Sequence, residues 1–231
     1  MSKLQSQNIK RLITYGCSYT YGHGLPDCIH KKNISWPGEY PSSFAWPKLL
    51  SKYLNIKKID NRAKCGSSIK ELGYNILQSS LNVSTDFVII MWTNPFRVGI
   101  LNDDNTTTNL GHWGIGDSNT KNYYKHYYND LDMLYNYASS VIMCNEFLKS
   151  EGVRFLTIEH TPSFTYFNKF RKNHWYKLCN FQNDEKYFAL PPLSYVDYAV
   201  DGKHPGIKQH EWYAQVLKHQ IIKKKLLTIA K

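Results

Sequence analysis

The sequence lacks any long apolar run, and its cysteines show no metal-binding pattern. No stretch reaches the roughly 18 apolar residues that a membrane-spanning helix requires, and residues 1–10 have no apolar core of the kind found in signal peptides. The five cysteines are odd in number and contain no C-x-x-C pair, which predicts neither a zinc site nor a disulfide framework. We therefore expect a soluble chain, cytoplasmic by default, without a transmembrane segment, a cofactor or a metal.

Arginine is scarce, although the formal net charge is +11. Of the 29 basic residues only five are arginine, and 18 residues are acidic. An excess of positive charge is typical of proteins that bind nucleic acid, membrane surfaces or anionic glycans, but base and phosphate recognition favours the arginine fork. The one dense lysine run, 223–225, lies near the C-terminus, where a solvated helix end is expected. This composition argues against a nucleic-acid partner and leaves the oligomeric state open.

Apolar runs alternate with helical patterns along the chain. The run over 86–92 is almost continuously apolar, as in a strand buried on both faces. The patterns predict strands over 12–15, 56–60, 86–92 and 153–158, and helices over 43–54, 67–81, 122–150 and 206–227. Strand–helix alternation predicts an α/β fold, a three-layer α/β/α sandwich with a mostly parallel, flavodoxin-like sheet of about five strands.

The whole chain, residues 1–231, is predicted to be one domain. The segment 98–120 is rich in Asn, Asp, Thr and Gly and is predicted to be a loop or insertion. Residues 160–200 are aromatic and irregular, and no element is predicted there.

Polar residues stand at four predicted strand–helix junctions, where the reactive groups of such sheets gather. Ser18 follows the first strand, and Asp201 and His204 precede the last helix. A serine hydroxyl becomes a nucleophile when a base accepts its proton. His204 is a candidate for that base, and Asp201 is close enough in sequence to hold its Nδ1–H. In the alternatives, Ser18 only caps a turn, Asp201 is an N-cap, or Asp197 orients the histidine.

An ester under attack also develops an oxyanion, which donors in place beforehand must stabilise. Candidates are the backbone N–H groups of Ser18 and Gly66 and the side-chain amide of Asn94. Losing one such donor typically costs about 3–4 kcal/mol of barrier. The alternative for Asn94 is an Asx turn before Pro95, and a loop glycine such as Gly66 needs no function.

These four blocks, in this order, resemble the SGNH hydrolase superfamily, also called GDSL esterases and lipases. The resemblance extends over about residues 12–217 as spaced blocks and not as continuous identity. It implies a serine hydrolase with Ser18 as nucleophile, His204 as base and Asp201 as its orienting residue. It also implies that Ser18, Gly66 and Asn94 form the oxyanion hole.

The blocks depart from the family pattern at several positions. Cys17 and Tyr19 stand where the family usually has Asp and Leu. Trp92 stands in place of a glycine, so the sequence does not determine how wide the acyl site is. Pro95 removes a backbone donor beside the candidate oxyanion amide. Cys17 and Cys65 each adjoin an oxyanion donor, so they either pack together beneath the site or are two unrelated buried thiols.

Three further residues are candidates for substrate binding: His23, Arg97 and Trp113. His23 lies between two glycines, and it either lines the pocket entrance or belongs to a solvated loop. Arg97 meets an anionic group of a substrate or holds a neighbouring loop. Trp113 belongs to a lid or to a mobile surface loop.

The sequence thus predicts a serine esterase that hydrolyses a small acyl ester through an acyl-serine intermediate. The partner expected is a small-molecule or glycan ester, for example an O-acetyl carbohydrate. One alternative is an acyltransferase that uses the same site. Another is a catalytically inactive glycan-binding or structural module that keeps the fold.

Overall fold

The computed structural model describes residues 9–111, 114, 117–159, 168–170, 172, 186–190 and 196–227. Its strands are β1 (Arg11–Tyr15), β2 (Ile29–His30), β3 (Asn33–Pro37), β4 (Lys58–Asn61), β5 (Asp86–Trp92), β6 (Val98–Leu101), β7 (Thr107–Leu110), β8 (Arg154–Glu159) and β9 (Tyr187–Ala189). Its helices are α1 (Ser18–Tyr21), α2 (Trp46–Tyr53), α3 (Ile69–Leu77), α4 (Ser118–His126), α5 (Asp130–Ser150) and α6 (Ile207–Lys223), with a 3-10 turn over Asn168–Phe170. No helix in these ranges has the length and apolarity needed to cross a membrane.

Five strands form the central sheet, in the order β4-β1-β5-β8-β9. All four pairings are parallel, and the order is the 2-1-3-4-5 arrangement of flavodoxin-like folds. The strand predicted to be buried on both faces, β5, is the middle one, and all seven of its residues are buried. The predicted fold class is confirmed.

Helices cover both faces of the sheet, because successive side chains of a strand point to opposite faces. In β1, Ile13 packs on the side of α3 and α5, whereas Leu12 packs on the side of α2 and α6. The same alternation separates Val88 from Ile89 in β5. This arrangement gives the two apolar cores of a three-layer sandwich.

The predicted helix over 122–150 is two helices. The first, α4, begins at Ser118, and the second, α5, begins at Asp130. The break has a local cause, because the side chain of Asn129 accepts a hydrogen bond from the Asp132 N–H (2.8 Å) and caps α5. The spacing of apolar residues did not reveal the break, and the buried face of α5 includes Met133, Leu134 and Tyr137.

The segment 98–120 contains an antiparallel hairpin, β6–β7, besides its loops. The hairpin docks on the start of α3, because Asn109 accepts a hydrogen bond from the Ser68 N–H (3.2 Å) and donates one to Glu71 (2.7 Å). Ser68 caps α3, accepting from the Glu71 N–H (3.1 Å). Whether the segment is an insertion stays a prediction.

Three other strands were not predicted. The hairpin β2–β3 follows α1, and its β3 residues are largely exposed. The fifth strand of the sheet, β9, comes from the predicted irregular region 160–200, most of which lies outside the described residues.

Candidate active site

Three of the predicted site residues lie at the carboxyl edge of the sheet. Ser18 follows β1, Gly66 follows β4 and Asn94 follows β5, and these three strands are neighbours with β1 between the other two. The loops also contact one another: the Lys64 N–H donates to the Gly16 carbonyl (3.2 Å). The fold therefore gathers residues from three separate loops at one edge.

Ser18 is the first residue of the four-residue helix α1 and is only 5% exposed. The tight approach of this turn to β1 requires a glycine at position 16, because a Cβ there would lie 2.1 Å from Thr20 Oγ1. Gly22, in the left-handed conformation (φ 84°), ends the helix. The Ser18 N–H stands at the first position of this helix, where a backbone N–H has no acceptor within the helix.

Asn61, at the end of β4, holds this turn in place. Its Nδ2 donates to the Thr20 carbonyl (2.9 Å), and its Oδ1 accepts from Thr14 Oγ1 (3.1 Å) and the Ala63 N–H (3.2 Å). One side chain thus connects β1, α1 and the loop that leads to Gly66. No sequence pattern identifies Asn61, because its role depends on the parallel register that sets it beside Thr14.

Asp201 and His204 form a hydrogen-bonded pair. His204 Nδ1 lies 2.5 Å from Asp201 Oδ2, and Asp201 Oδ1 accepts the backbone N–H groups of Lys203 and His204 (3.0 Å each). Burial would raise the pKa of Asp201, but these backbone and ring hydrogen bonds outweigh it and hold the pKa below its usual value. The carboxylate is therefore fixed as an acceptor for the His204 ring.

Asp197, the alternative orienting residue, serves another purpose. Its Oδ1 accepts the Gln209 N–H (2.9 Å) and its Oδ2 accepts the Lys208 N–H (3.1 Å), so it satisfies the first turn of α6. Asp201 does not cap that helix.

The His204 loop lies against the segment that begins with Ser18. The Tyr19 ring meets the His204 ring edge-on at 5.6 Å between centroids, and the His23 ring lies on it at 4.4 Å. The backbones are joined as well, because the Val200 N–H donates to the Gly24 carbonyl (3.0 Å). Residues from near both ends of the chain therefore share one site.

Gly24 permits this close contact. It has a φ of +83°, and a Cβ there would lie 2.9 Å from Asp201 Cγ. Only glycine combines this conformation with so small a volume.

His23 is buried (8% exposed) and does not lie in a solvated loop. Burial and the neighbouring His204 lower its pKa, partly opposed by Asp201 and by the carbonyl groups of Ser35 and Trp36. Within the described ranges the buried Nε2 of His23 has no hydrogen-bond partner. His23, Asp201 and His204 each offer one potential metal-ligand atom, and these three atoms lie within 4.8 Å of one another.

Asn94 forms the Asx turn that was the alternative to its role as an oxyanion donor. Its Oδ1 accepts the Phe96 N–H (2.9 Å). The two roles are compatible, because engaging the amide oxygen leaves the NH₂ group as the end that can donate.

Arg97 holds neighbouring loops together, with its guanidinium donating to Thr93 Oγ1 (2.8 Å) and to the Ser67 carbonyl (3.4 Å).

Of the residues that depart from the family pattern, Cys17, Trp92 and Pro95 are buried and Tyr19 is half-buried. Trp92 is 2% exposed and packs in the core on the α3 and α5 side of the sheet. Cys17, Cys28 and Cys65 are free thiols. Burial, with the proximity of Cys28 and Cys17, raises the pKa of the Cys65 thiol, which disfavours the reactive thiolate. Gly66 has a φ of +80°, which favours glycine. Trp113 lies outside the described residues.

No family model and no curated protein matches the sequence. Solved structures match it in fold. Est2A, an acetyl xylan esterase from the rumen bacterium Butyrivibrio proteoclasticus, is 15% identical with a TM-score of 0.56, and the match covers 94% of this chain and 65% of that one. The chain thus spans slightly less than two thirds of Est2A.

Two further structures match over nearly their whole length. A variant of Axe2, an acetyl-xylooligosaccharide esterase from Geobacillus, is 16% identical with a TM-score of 0.54, covering 94% of this chain and 96% of that one. A lipolytic protein of the G-D-S-L family from Desulfitobacterium hafniense is 13% identical with a TM-score of 0.51, covering 91% and 99%. The chain therefore has the fold that its resemblance to the SGNH hydrolase superfamily predicted.

Proposed function

We propose that this protein is a serine esterase that removes a small acyl group, such as acetyl, from a carbohydrate. The observation that carries the proposal is the Asp201–His204 pair, held at 2.5 Å against the segment that begins with Ser18. A buried carboxylate bonded to Nδ1 fixes the tautomer in which Nε2 accepts a proton. The names of Est2A and Axe2 support acetylated xylan or xylooligosaccharide as the class of substrate.

In the first half of the reaction, Ser18 Oγ attacks the carbonyl carbon of the ester and its proton passes to His204 Nε2. The oxyanion that forms is stabilised by the N–H groups of Ser18 and Gly66 and by the NH₂ group of Asn94. When the tetrahedral intermediate collapses, the bond from the acyl carbon to the sugar oxygen breaks. His204 returns the proton to that oxygen, and the acyl group stays on Ser18.

In the second half, a water molecule replaces the sugar. His204 takes one of its protons, the hydroxide attacks the acyl carbon, and collapse releases the free acid and restores the Ser18 hydroxyl with the proton from His204. Asp201 keeps its negative charge throughout and stabilises the imidazolium in both halves.

Labelling with a fluorophosphonate, together with acetate release from acetylated xylooligosaccharides, tests this proposal. We expect wild type to be labelled and to release free acetate, and Ser18→Ala to do neither. Ser43→Ala, at an exposed serine, serves as the matched control and should behave as wild type. Equal labelling of wild type and Ser18→Ala, or a folded wild type that releases no acetate, would contradict it.

A further inference from the structure

Three side chains in the candidate active site are of the types that zinc prefers. His23, Asp201 and His204 supply two imidazoles and one carboxylate, and their potential ligand atoms lie within 4.8 Å of one another. Two histidines and a carboxylate form the protein ligand set of open zinc sites, in which a fourth position is left to water. Histidine spacing in the sequence gave no sign of this cluster, because His23 and His204 lie 181 positions apart.

The proposed esterase reaction gives a role to Asp201 and His204 but not to His23. His23 is 8% exposed, and its buried Nε2 has no hydrogen-bond partner in the described part of the chain. Nitrogen atoms in such positions normally have a partner in the protein, a water or an ion. A neutral imidazole nitrogen with an unused lone pair is also the form that binds a metal.

The distances are close to those of a metal site. In a tetrahedral zinc site with bonds of about 2.0–2.1 Å, neighbouring ligand atoms lie about 3.4 Å apart. His204 Nδ1 and Asp201 Oδ2 lie 2.5 Å apart and have to separate by about 1 Å, and all three ligand atoms already lie within 4.8 Å of one another. The backbone hydrogen bonds that hold the Asp201 carboxylate keep it as an anionic ligand.

We propose that His23, Asp201 and His204 bind one Zn²⁺ ion, and that this ion inhibits the enzyme. The ion takes the place of the proton between His204 Nδ1 and Asp201 Oδ2, and the neutral ring carries that proton on Nε2 instead. His204 Nε2 then has no lone pair with which to accept the proton of Ser18, so His204 no longer serves as the base. The inhibition rests on the proposed esterase function, whereas binding of the metal does not.

Isothermal titration of the full chain with Zn²⁺, after treatment with EDTA and dialysis, tests the binding. We expect one strong site per chain in wild type and a Kd at least tenfold higher in His23→Gln. The matched control is His219→Gln, which replaces an exposed histidine on α6 and should bind as wild type. Asp201→Asn is a second variant at the site, and circular dichroism in EDTA establishes that each variant is folded. No zinc binding by wild type, or equal Kd values in His23→Gln and His219→Gln, would overturn the proposal.

Ester hydrolysis with and without Zn²⁺ tests the inhibition, with each variant compared with its own rate in EDTA. We expect Zn²⁺ to inhibit wild type and His219→Gln, EDTA to restore the rate, and His23→Gln to need at least tenfold more Zn²⁺ for the same inhibition. If Zn²⁺ binds at the site but no ester is cleaved even in EDTA, the esterase proposal fails and the metal site stands. If the enzyme is active and Zn²⁺ neither binds nor inhibits, the metal site is wrong and the esterase proposal stands.

Discussion

Gly24→Ala separates damage to the candidate active site from damage to the fold. Gly24 and Gly202 both have a positive φ, +83° and +66°, so an alanine at either position costs about 1–2 kcal/mol of backbone strain. They differ in their surroundings. A Cβ on Gly24 would lie 2.9 Å from Asp201 Cγ and 3.0 Å from Ala199 Cβ, whereas a Cβ on Gly202 meets nothing within 4 Å.

The added methyl group has to displace the Asp201 loop. Ordinary contacts begin at 3.4 Å, so the carboxylate has to move by about half an ångström or more. Such overpacking costs roughly 1–3 kcal/mol. We therefore expect Gly24→Ala to lower the free energy of unfolding by about 1–3 kcal/mol more than Gly202→Ala does, because the strain is common to both.

We also expect Gly24→Ala to lower kcat, in addition to lowering the free energy of unfolding. Displacing Asp201 moves the His204 ring away from Ser18, and a misplacement of about 1 Å costs on the order of 10²-fold in rate. Urea unfolding gives the stabilities, and acetate release at saturating substrate gives kcat for the folded variants. If Gly24→Ala and Gly202→Ala show the same decrease in the free energy of unfolding and the same decrease in kcat, the contact between the Ser18–Gly24 segment and the Asp201 loop does not hold the site in place.

Three other substitutions test separate parts of the argument. Asp201→Asn should lower kcat by about 10³–10⁴-fold with little change in KM, because the amide no longer fixes the reactive tautomer; an unchanged kcat would exclude Asp201 as the orienting residue. Asn61→Ala should cost about 1–3 kcal/mol in urea unfolding, since it leaves the Thr20 carbonyl and a backbone N–H without their partner; a change below 0.5 kcal/mol would exclude that role. Burial raises the pKa of Asp86, but hydrogen bonds from the Arg11 guanidinium and from the backbone N–H of Asn82 hold this pKa below its usual value. Its contribution to stability is therefore complete above the unfolded pKa of about 3.9 and is lost as the pH falls through the folded pKa. Asp86→Asn should consequently be less stable than wild type at pH 7, with a smaller gap at pH 3; a gap that does not narrow would contradict this linkage.

Several elements could be predicted from the sequence because their causes are local. The apolar run of β5 matches the observed strand in both bounds, and the Ser68 cap of α3 depends on residues three positions apart. The pairing of Asp201 with His204 is equally local. By contrast, β9 is a three-residue strand that exists because it pairs with β8, so its own residues carry too weak a pattern to identify it.

The periodicities of the main strands and helices, and the residue types at the strand ends, can be predicted from the amino-acid sequence, because they depend on neighbours within a turn or two. Which of those residues come into contact depends on how the elements pack together. The parallel register sets Asn61 beside Thr14. The packing of the Asp201–His204 loop on the segment 18–24 buries His23 against His204. Both contacts join segments far apart in the chain, and the energy that forms them comes from burying the two faces of one sheet, which no single segment does alone.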